Sequence, residues 1–179
     1  IVQAAKEIEY PVVVKAQVMT GGRGKAGGIK FAENDAELVK CTREIIGMDI
    51  KGHIVHSVMV VGKAEVVKEF YLSIMLDRMT KCPMIIFSPL GGMEIEQVAK
   101  DTPEMIFKTP IHPFGGIMSY HTAYLAGKIK SVYPEFSADL QKELGTLLQN
   151  LYALFLKNDC MLCEINPLAV CKDCLLYTS

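Results

Sequence analysis

Gly21-Gly-Arg-Gly-Lys-Ala-Gly-Gly28 is the stretch whose reading decides the fold. Gly22, Gly24 and Gly27 satisfy G-x-G-x-x-G, a pattern shared by several unrelated folds. The residues after the loop separate them. A dinucleotide-binding loop opens a helix whose N-terminus takes the pyrophosphate, but this one runs into Gly28-Ile-Lys-Phe31, which is strand-like. A Walker A loop fails as well, because Ala26 follows Lys25 and Met19 stands where the leading glycine belongs. A glycine-rich hairpin between antiparallel strands is left, the arrangement kinases fold over nucleotide phosphates. Glycine lets backbone N–H groups approach phosphate oxygens closely, and Arg23 and Lys25 add positive charge. An ordinary solvated hairpin is the plainer reading, but five glycines and two cations in eight residues favour an anion. Lys15 points the same way. It sits among Val and Ala just ahead of the loop, where an ammonium needs a carboxylate or a phosphate.

Outward from the loop, residues 11–19 read as the first strand and Ile29 to Ala32 as its hairpin partner. Asn34, with Glu37 three residues on, starts a helix whose stripe is Leu38, Cys41, Ile45 and Ile46. His53 to Val61 reads as a strand. From Val67 to Arg78, Phe70, Leu72, Ile74 and Leu76 share one face and Glu69, Tyr71, Ser73 and Asp77 the other, as in a half-buried strand. Pro83 to Ser88 pairs with it. A short helix or turn over Met93 to Lys100 comes next, then loop through Pro110, Pro113 and Gly115-Gly116, and a helix from Tyr120 to Ile129. Leucines from Leu140 to Leu154, with Phe155, make a long helix capped by Ser137. Cys160 to Val170 is the last strand. The order β-β-α-β-β-β-α-α-α-β predicts an α+β fold with mostly antiparallel neighbours.

In that last strand, Glu164 and Asn166 fall on one face about 7 Å apart. A carboxylate beside an amide oxygen suits a hard cation that takes a few protein oxygens and fills its shell with phosphate and water; a capped strand end is the plainer account.

The chain has 179 residues, 50% hydrophobic and 22% charged, with 19 Lys+Arg against 20 Asp+Glu, enough for one domain with a real core. A net charge of −1 gives no field for nucleic acid or an anionic membrane. No apolar run approaches the roughly 20 residues that span a bilayer. Ile1 in place of an initiator Met, and an uncapped Leu-Leu-Tyr-Thr-Ser ending, read as a piece of a longer chain. Cys160, Cys163, Cys171 and Cys174 spell C-x2-C-x7-C-x2-C, but Cys160 and Cys163 in one strand would point to opposite faces, which a zinc knuckle does not allow. His53, His56, His112 and His121 have no triad spacing and read as surface or loop residues.

Four blocks resemble one family in order and register. They are residues 14–30 around the loop, Lys68-Glu-Phe-Tyr-Leu-Ser73 with Asp77-Arg78, Ser88-Pro-Leu-Gly-Gly-Met-Glu-Ile-Glu96, and Glu164-Ile-Asn-Pro-Leu168. Together they are similar to the β subunit of succinyl-CoA synthetase (succinate–CoA ligase), of the bacterial, ADP-forming type. The resemblance implies an ATP-grasp fold over residues 1–173, incomplete at both ends, in which two α+β lobes of antiparallel sheet with helices hold the nucleotide between them. It implies Mg²⁺ and ATP or ADP as ligands, succinate and CoA as further substrates, and a phosphohistidine on an α subunit partnered as a heterodimer or heterotetramer. The compartment implied is the cytoplasm for a bacterial protein and the mitochondrial matrix for a eukaryotic one. By motif, Lys15, Gly22, Arg23 and Gly24 would contact ATP phosphates. Val61 and Ala64 would lie in the adenine hinge, with Val61 acting through its main chain because the family usually has Glu there. Glu69 would bind nucleotide, Asn166 would ligate Mg²⁺, and Glu164 would lie beside the incoming phosphohistidine.

The resemblance stops after Asp173, where the family's Asp-Gly turn is replaced by Cys174-Leu-Leu-Tyr-Thr-Ser179. Cys suits a positive-φ turn poorly, so residues 174–179 are expected to be a non-native tail, with the second Mg²⁺ ligand missing. A non-catalytic nucleotide-binding or subunit-interaction module, and relatives of the malate–CoA ligase or ATP-citrate lyase type, are the alternative readings.

Overall fold

Two hydrophobic cores with no residue in common divide the chain between Ala64 and Glu65. The structure, a computed structural model, describes residues 1–172 and 176–178.

The first unit, Ile1–Ala64, runs α1 (Val2–Ile8), β1 (Val12–Gln17), β2 (Ile29–Ala32), α2 (Asp35–Ile45), β3 (Asp49–Ile50), β4 (His53–Ile54) and β5 (Ser57–Gly62). Its main sheet is antiparallel in the order β2-β1-β5. The Val/Ala strand β1 is central: Val12, Val14 and Ala16 are fully buried, in one core with Leu38 and Ile45 of α2. The predicted helix start is made as expected. Asn34 Oδ1 accepts the Glu37 N–H at 3.0 Å, and the Glu37 carboxylate reaches back to the Glu33 N–H at 2.9 Å. Ile46 departs from the expected stripe; it ends the helix in extended backbone and is exposed. The strand expected over His53 to Val61 is interrupted, because Val55 pairs back with Gly47 and Met48 at the end of α2. Helix α1 was not legible, being seven residues long with only Ala5 fully buried among its described side chains.

The second unit, Glu65–Ser179, contains β6 (Val66–Asp77), β7 (Cys82–Ser88), α3 (Ile95–Asp101), β8 (Phe107–Pro110), α4 (Ser119–Val132), α5 (Ala138–Lys157), β9 (Leu162–Cys171) and β10 (Leu176–Thr178). The five strands form one antiparallel sheet in the order β10-β9-β6-β7-β8. Phe70, Leu72 and Ile74 of β6 meet Leu140, Leu144, Leu148 and Phe155 of α5 in the core. Ser137 caps α5 through the Leu140 N–H at 3.1 Å. Leu154, expected on the stripe, is exposed.

Three further expectations are corrected. Strand β6 is not half-buried over its middle, since Tyr71 and Ser73 are also buried; the chain leaving β7 doubles back onto β6. Pro110 ends a strand rather than marking only loop, which is permitted because β8 is an edge strand. His121 is buried in the first turn of α4, its ring held by the Met118 N–H at 2.9 Å and the Pro110 carbonyl at 3.2 Å. The backbone of β10 pairs with β9 from Leu176↔Val170 to Thr178↔Leu168. Asp173, Cys174, Leu175 and Ser179 lie outside the described residues, and with them the expected break at Cys174. No helix among the described residues is long and apolar enough to cross a membrane.

Candidate functional site

In the first unit, Lys15 occupies the middle of the sheet, opposite Ile29 of β2 and Met59 of β5. The loop after β1 turns on itself. The N–H groups of Ala26, Gly27 and Gly28 are used on the carbonyls of Gly22, Gly24 and Arg23 at 2.8 to 3.1 Å. Gly22 and Gly27 take φ of +80° and +78°, conformations that suit glycine. Gly28 is required by space: a Cβ there would lie 2.8 Å from Ile50 Cδ1 and 3.1 Å from the Arg23 carbonyl. Arg23 is anchored by Nη1 donating to the Ala16 carbonyl at 3.1 Å, which holds its guanidinium close to Lys15. Burial first, and then the Arg23 charge, hold the Lys15 ammonium below the ordinary lysine value of 10.5. No carboxylate among the described residues pairs with Lys15 or Arg23. Two adjacent cations left without a carboxylate are what an anion site requires.

Val61 and Ala64 lie on β5 and on the segment just after it, where the two units divide. The ladder fixes where the main-chain groups of Val61 point. Lys63 N–H donates to the Pro11 carbonyl, and bonded pairs alternate along an antiparallel ladder, so Val61 and its partner Val13 bond each other. The outward main-chain groups of β5, an edge strand, belong to Val60 and Gly62 instead.

In the second unit, one loop gathers Glu69 and Asn166. Gly91 donates to the Glu69 carbonyl at 3.3 Å, and a Cβ on Gly91 would lie 2.4 Å from Phe70 N. Gly92 lies against Glu69, a Cβ there coming within 2.8 Å of Oε2. Asn166 clasps the loop from β9: its Oδ1 accepts the Gly92 N–H at 2.9 Å and its Nδ2 donates to the Met93 carbonyl at 2.8 Å. Glu164 is exposed and accepts the Tyr71 hydroxyl at 2.8 Å. Burial first, and then the hydrogen bond to Glu164 and its charge, raise the Tyr71 phenol well above its usual value, against a lowering from Ser73. Glu69 also borders an open hollow of about 410 Å³ lined by Val66, Lys68, Pro89 and Leu90. Glu69 and Asn166 are therefore brought to one loop, whose part sequence reading missed, while Glu164 lies on β9 opposite Ser73 and is held by Tyr71. The signal was present in Gly91-Gly92, since paired glycines mark backbone that must approach closely. Tyr71 was missed because its alternation reads only as a strand face.

The donor set accommodates a cation that takes few protein oxygens. The Asn166 carbonyl oxygen has two lone pairs and Gly92 uses one. Among the described residues no group of three or more His, Cys, Asp or Glu is placed to hold a metal. Cys160 precedes β9 instead of sharing it with Cys163, so the two do not lie along one strand as expected; burial first, and then the neighbouring Cys160, raise the Cys163 thiol.

An α+β chain with a glycine loop between antiparallel strands, and a carboxylate–amide strand in a second antiparallel sheet, has the architecture of nucleotide-dependent ligases of the grasp type. The chain belongs to the ATP-grasp family, whose domain model matches residues 1–170. It is similar to the succinate–CoA ligase [ADP-forming] β subunits of Rubrobacter xylanophilus (42% identical over 94% of this chain) and Desulforapulum autotrophicum (44% over 92%). The chain spans only 43% of the length of these curated relatives. Among solved structures it shares its fold with the dinucleotide-forming acetyl-coenzyme A synthetase 1 of Ca. Korarchaeum cryptofilum in complex with coenzyme A and Ca-AMPCP. That match has a TM-score of 0.72 at 19% identity and covers 94% of this chain and 73% of that one. The ATP citrate lyase of Methanothrix soehngenii matches with a TM-score of 0.65 at 18% identity, over 93% of this chain and 36% of that one.

Proposed function

We propose that this chain is the nucleotide-binding part of a succinate–CoA ligase β subunit, acting with an α subunit to convert ATP, succinate and CoA to succinyl-CoA, ADP and phosphate through a phosphohistidine. The observation that carries the reading is Lys15, a half-buried ammonium beside Arg23 with no carboxylate partner among the described residues. An ATP phosphate would satisfy both cations, and the loop N–H groups ahead of Ala26, which are not spent on carbonyls within the loop, would add directed donors to the same oxygens. Charge developing on the leaving diphosphate would be met by groups already in place, the usual source of rate in phosphoryl transfer. Asn166 would hold Mg²⁺, which supplies charge neutralisation to the phosphates when bound. Glu164, held by Tyr71, would accept a proton from the partner's imidazole and so present its free nitrogen to the γ-phosphate. The phosphoryl group would pass to that nitrogen as the bond to ADP breaks. Glu69 would bind the nucleotide, and the outward groups of β5 would serve adenine.

Calorimetric titration with Mg-ADP tests the site. The Lys15→Ala variant should lose at least tenfold in affinity, as expected for a charged hydrogen bond worth about 1.5–3 kcal/mol; equal affinities would overturn the placement. Mixing the full-length β subunit with an α subunit and ATP should phosphorylate the α-subunit histidine. Nucleotide binding without transfer would favour a non-catalytic module.

A further inference from the structure

Beside the glycine loop stands a cation that the sequence pattern does not connect with it. The two-residue turn Lys51-Gly52 joins β3 and β4, with Ile50 paired to His53. This short hairpin is packed under the loop. Ile50 is almost fully buried and lies against Gly28, while Met48, just ahead of the hairpin, reaches Gly27. The same packing brings Lys51 to the start of the loop: a Cβ on Gly22 would lie 3.2 Å from Lys51 Nζ. No carboxylate among the described residues pairs with Lys51, and the nearest acid in sequence, Asp49, turns its carboxylate to the Gly52 N–H at 2.6 Å.

Backbone conformation makes the choice of residue more informative. Lys51 has φ of +53° and Gly52 +84°, a turn that Asn-Gly or Gly-Gly fills with least strain. A lysine here is unfavourable for the backbone, and its side chain lies where Gly22 is open to solvent. Ammonium groups do not gather round a glycine loop for mutual stability, since like charges repel.

We infer that Lys51 is a third cation of the glycine-loop site and contacts the polyphosphate of the bound nucleotide. This rests on the reading of the loop as a phosphate site. Lys15 and Arg23 approach from the strand side and Lys51 from the hairpin, so the loop would grip a chain of phosphates rather than a single one. Discrimination among adenosine mono-, di- and triphosphate would then depend on Lys51.

The test is titration of the 179-residue chain with ATP, ADP, AMP and inorganic tripolyphosphate, using freshly prepared wild type, Lys51→Asn, Lys51→Arg and Lys15→Ala. Lys51→Asn should weaken ATP and tripolyphosphate about tenfold, leave AMP within about twofold, and hold or raise the melting temperature, because asparagine suits the turn. Lys51→Arg should restore the lost affinity. If Lys15→Ala loses binding while Lys51→Asn equals wild type for ATP and tripolyphosphate, the Lys51 inference is wrong and the nucleotide reading stands. If wild type binds none of the probes, both fall. A melting temperature that drops together with affinity for every probe, AMP included, would assign Lys51 a structural role and overturn the inference.

Discussion

Lys15 shows how a single position can carry both stability and binding. Its ammonium is held below the usual lysine range by burial and by Arg23, so the unfolded chain binds its proton more tightly. Stability of the ligand-free chain should therefore rise as pH climbs through the lowered value towards 10.5. Anion binding has the opposite sign. The protonated form is the binding form, so polyphosphate affinity should fall over that same rise, starting below the pH at which an ordinary lysine titrates. Titration calorimetry across alkaline pH checks this, and Lys15→Arg should flatten the fall because guanidinium stays charged. Tyr71 makes a second prediction at this scale. Tyr71→Phe removes the donor to Glu164 without touching the glycine loop. In the full-length protein it should leave the Mg-ADP affinity within about twofold and slow histidine phosphorylation. Equal losses in both would mean that Tyr71 only supports the fold. Lys15 was legible because a charge in a Val/Ala strand is conspicuous, whereas Tyr71 looked like any aromatic on a strand.

Among the elements, those governed by local chemistry were read correctly and those governed by distant packing were not. The caps at Asn34 and Ser137, the loop-linked hairpin β1–β2 and the long strand β6 each carry their signal within a few residues. Helix α1, the short β3–β4 hairpin and the edge strand β8 exist because the rest of the fold gives them something to lie on. Edge position also leaves the outward main-chain groups of β5 on Val60 and Gly62, the neighbours of Val61. The loop from Ser88 to Met93 is the most exacting element, since its backbone touches that of β6. Gly91→Ala should destabilise the second unit by about 3 kcal/mol through overpacking against the Phe70 backbone. Ser137→Ala should cost about 1 kcal/mol for a lost cap. Urea denaturation monitored by circular dichroism would measure both.

At the scale of the whole chain, the alternation of strands and helices led to the α+β class, and four sequence blocks to the grasp fold. Composition and periodicity alone suggest one domain, because apolar residues carry no label for the core they will join; the family resemblance implies the two lobes. The division into two cores has a measurable consequence. Leu144→Ala, deep in the second core, should destabilise that core by about 2–5 kcal/mol. Residues of the first core should keep their amide exchange protection at intermediate denaturant. Loss of protection in both cores together would show that they unfold as one.

The clasp made by Asn166 also bears on how long the protein stays chemically intact. Asparagine ages by deamidation, in which the next residue's backbone nitrogen attacks the side-chain carbonyl and ammonia leaves. Residue 167 is proline, whose nitrogen has no hydrogen and cannot make that attack. An aspartate formed at 166 would keep an oxygen for the Gly92 N–H but lose the donor to the Met93 carbonyl. Pro167 thus protects the clasp from the slow chemistry that would open one of its two bonds.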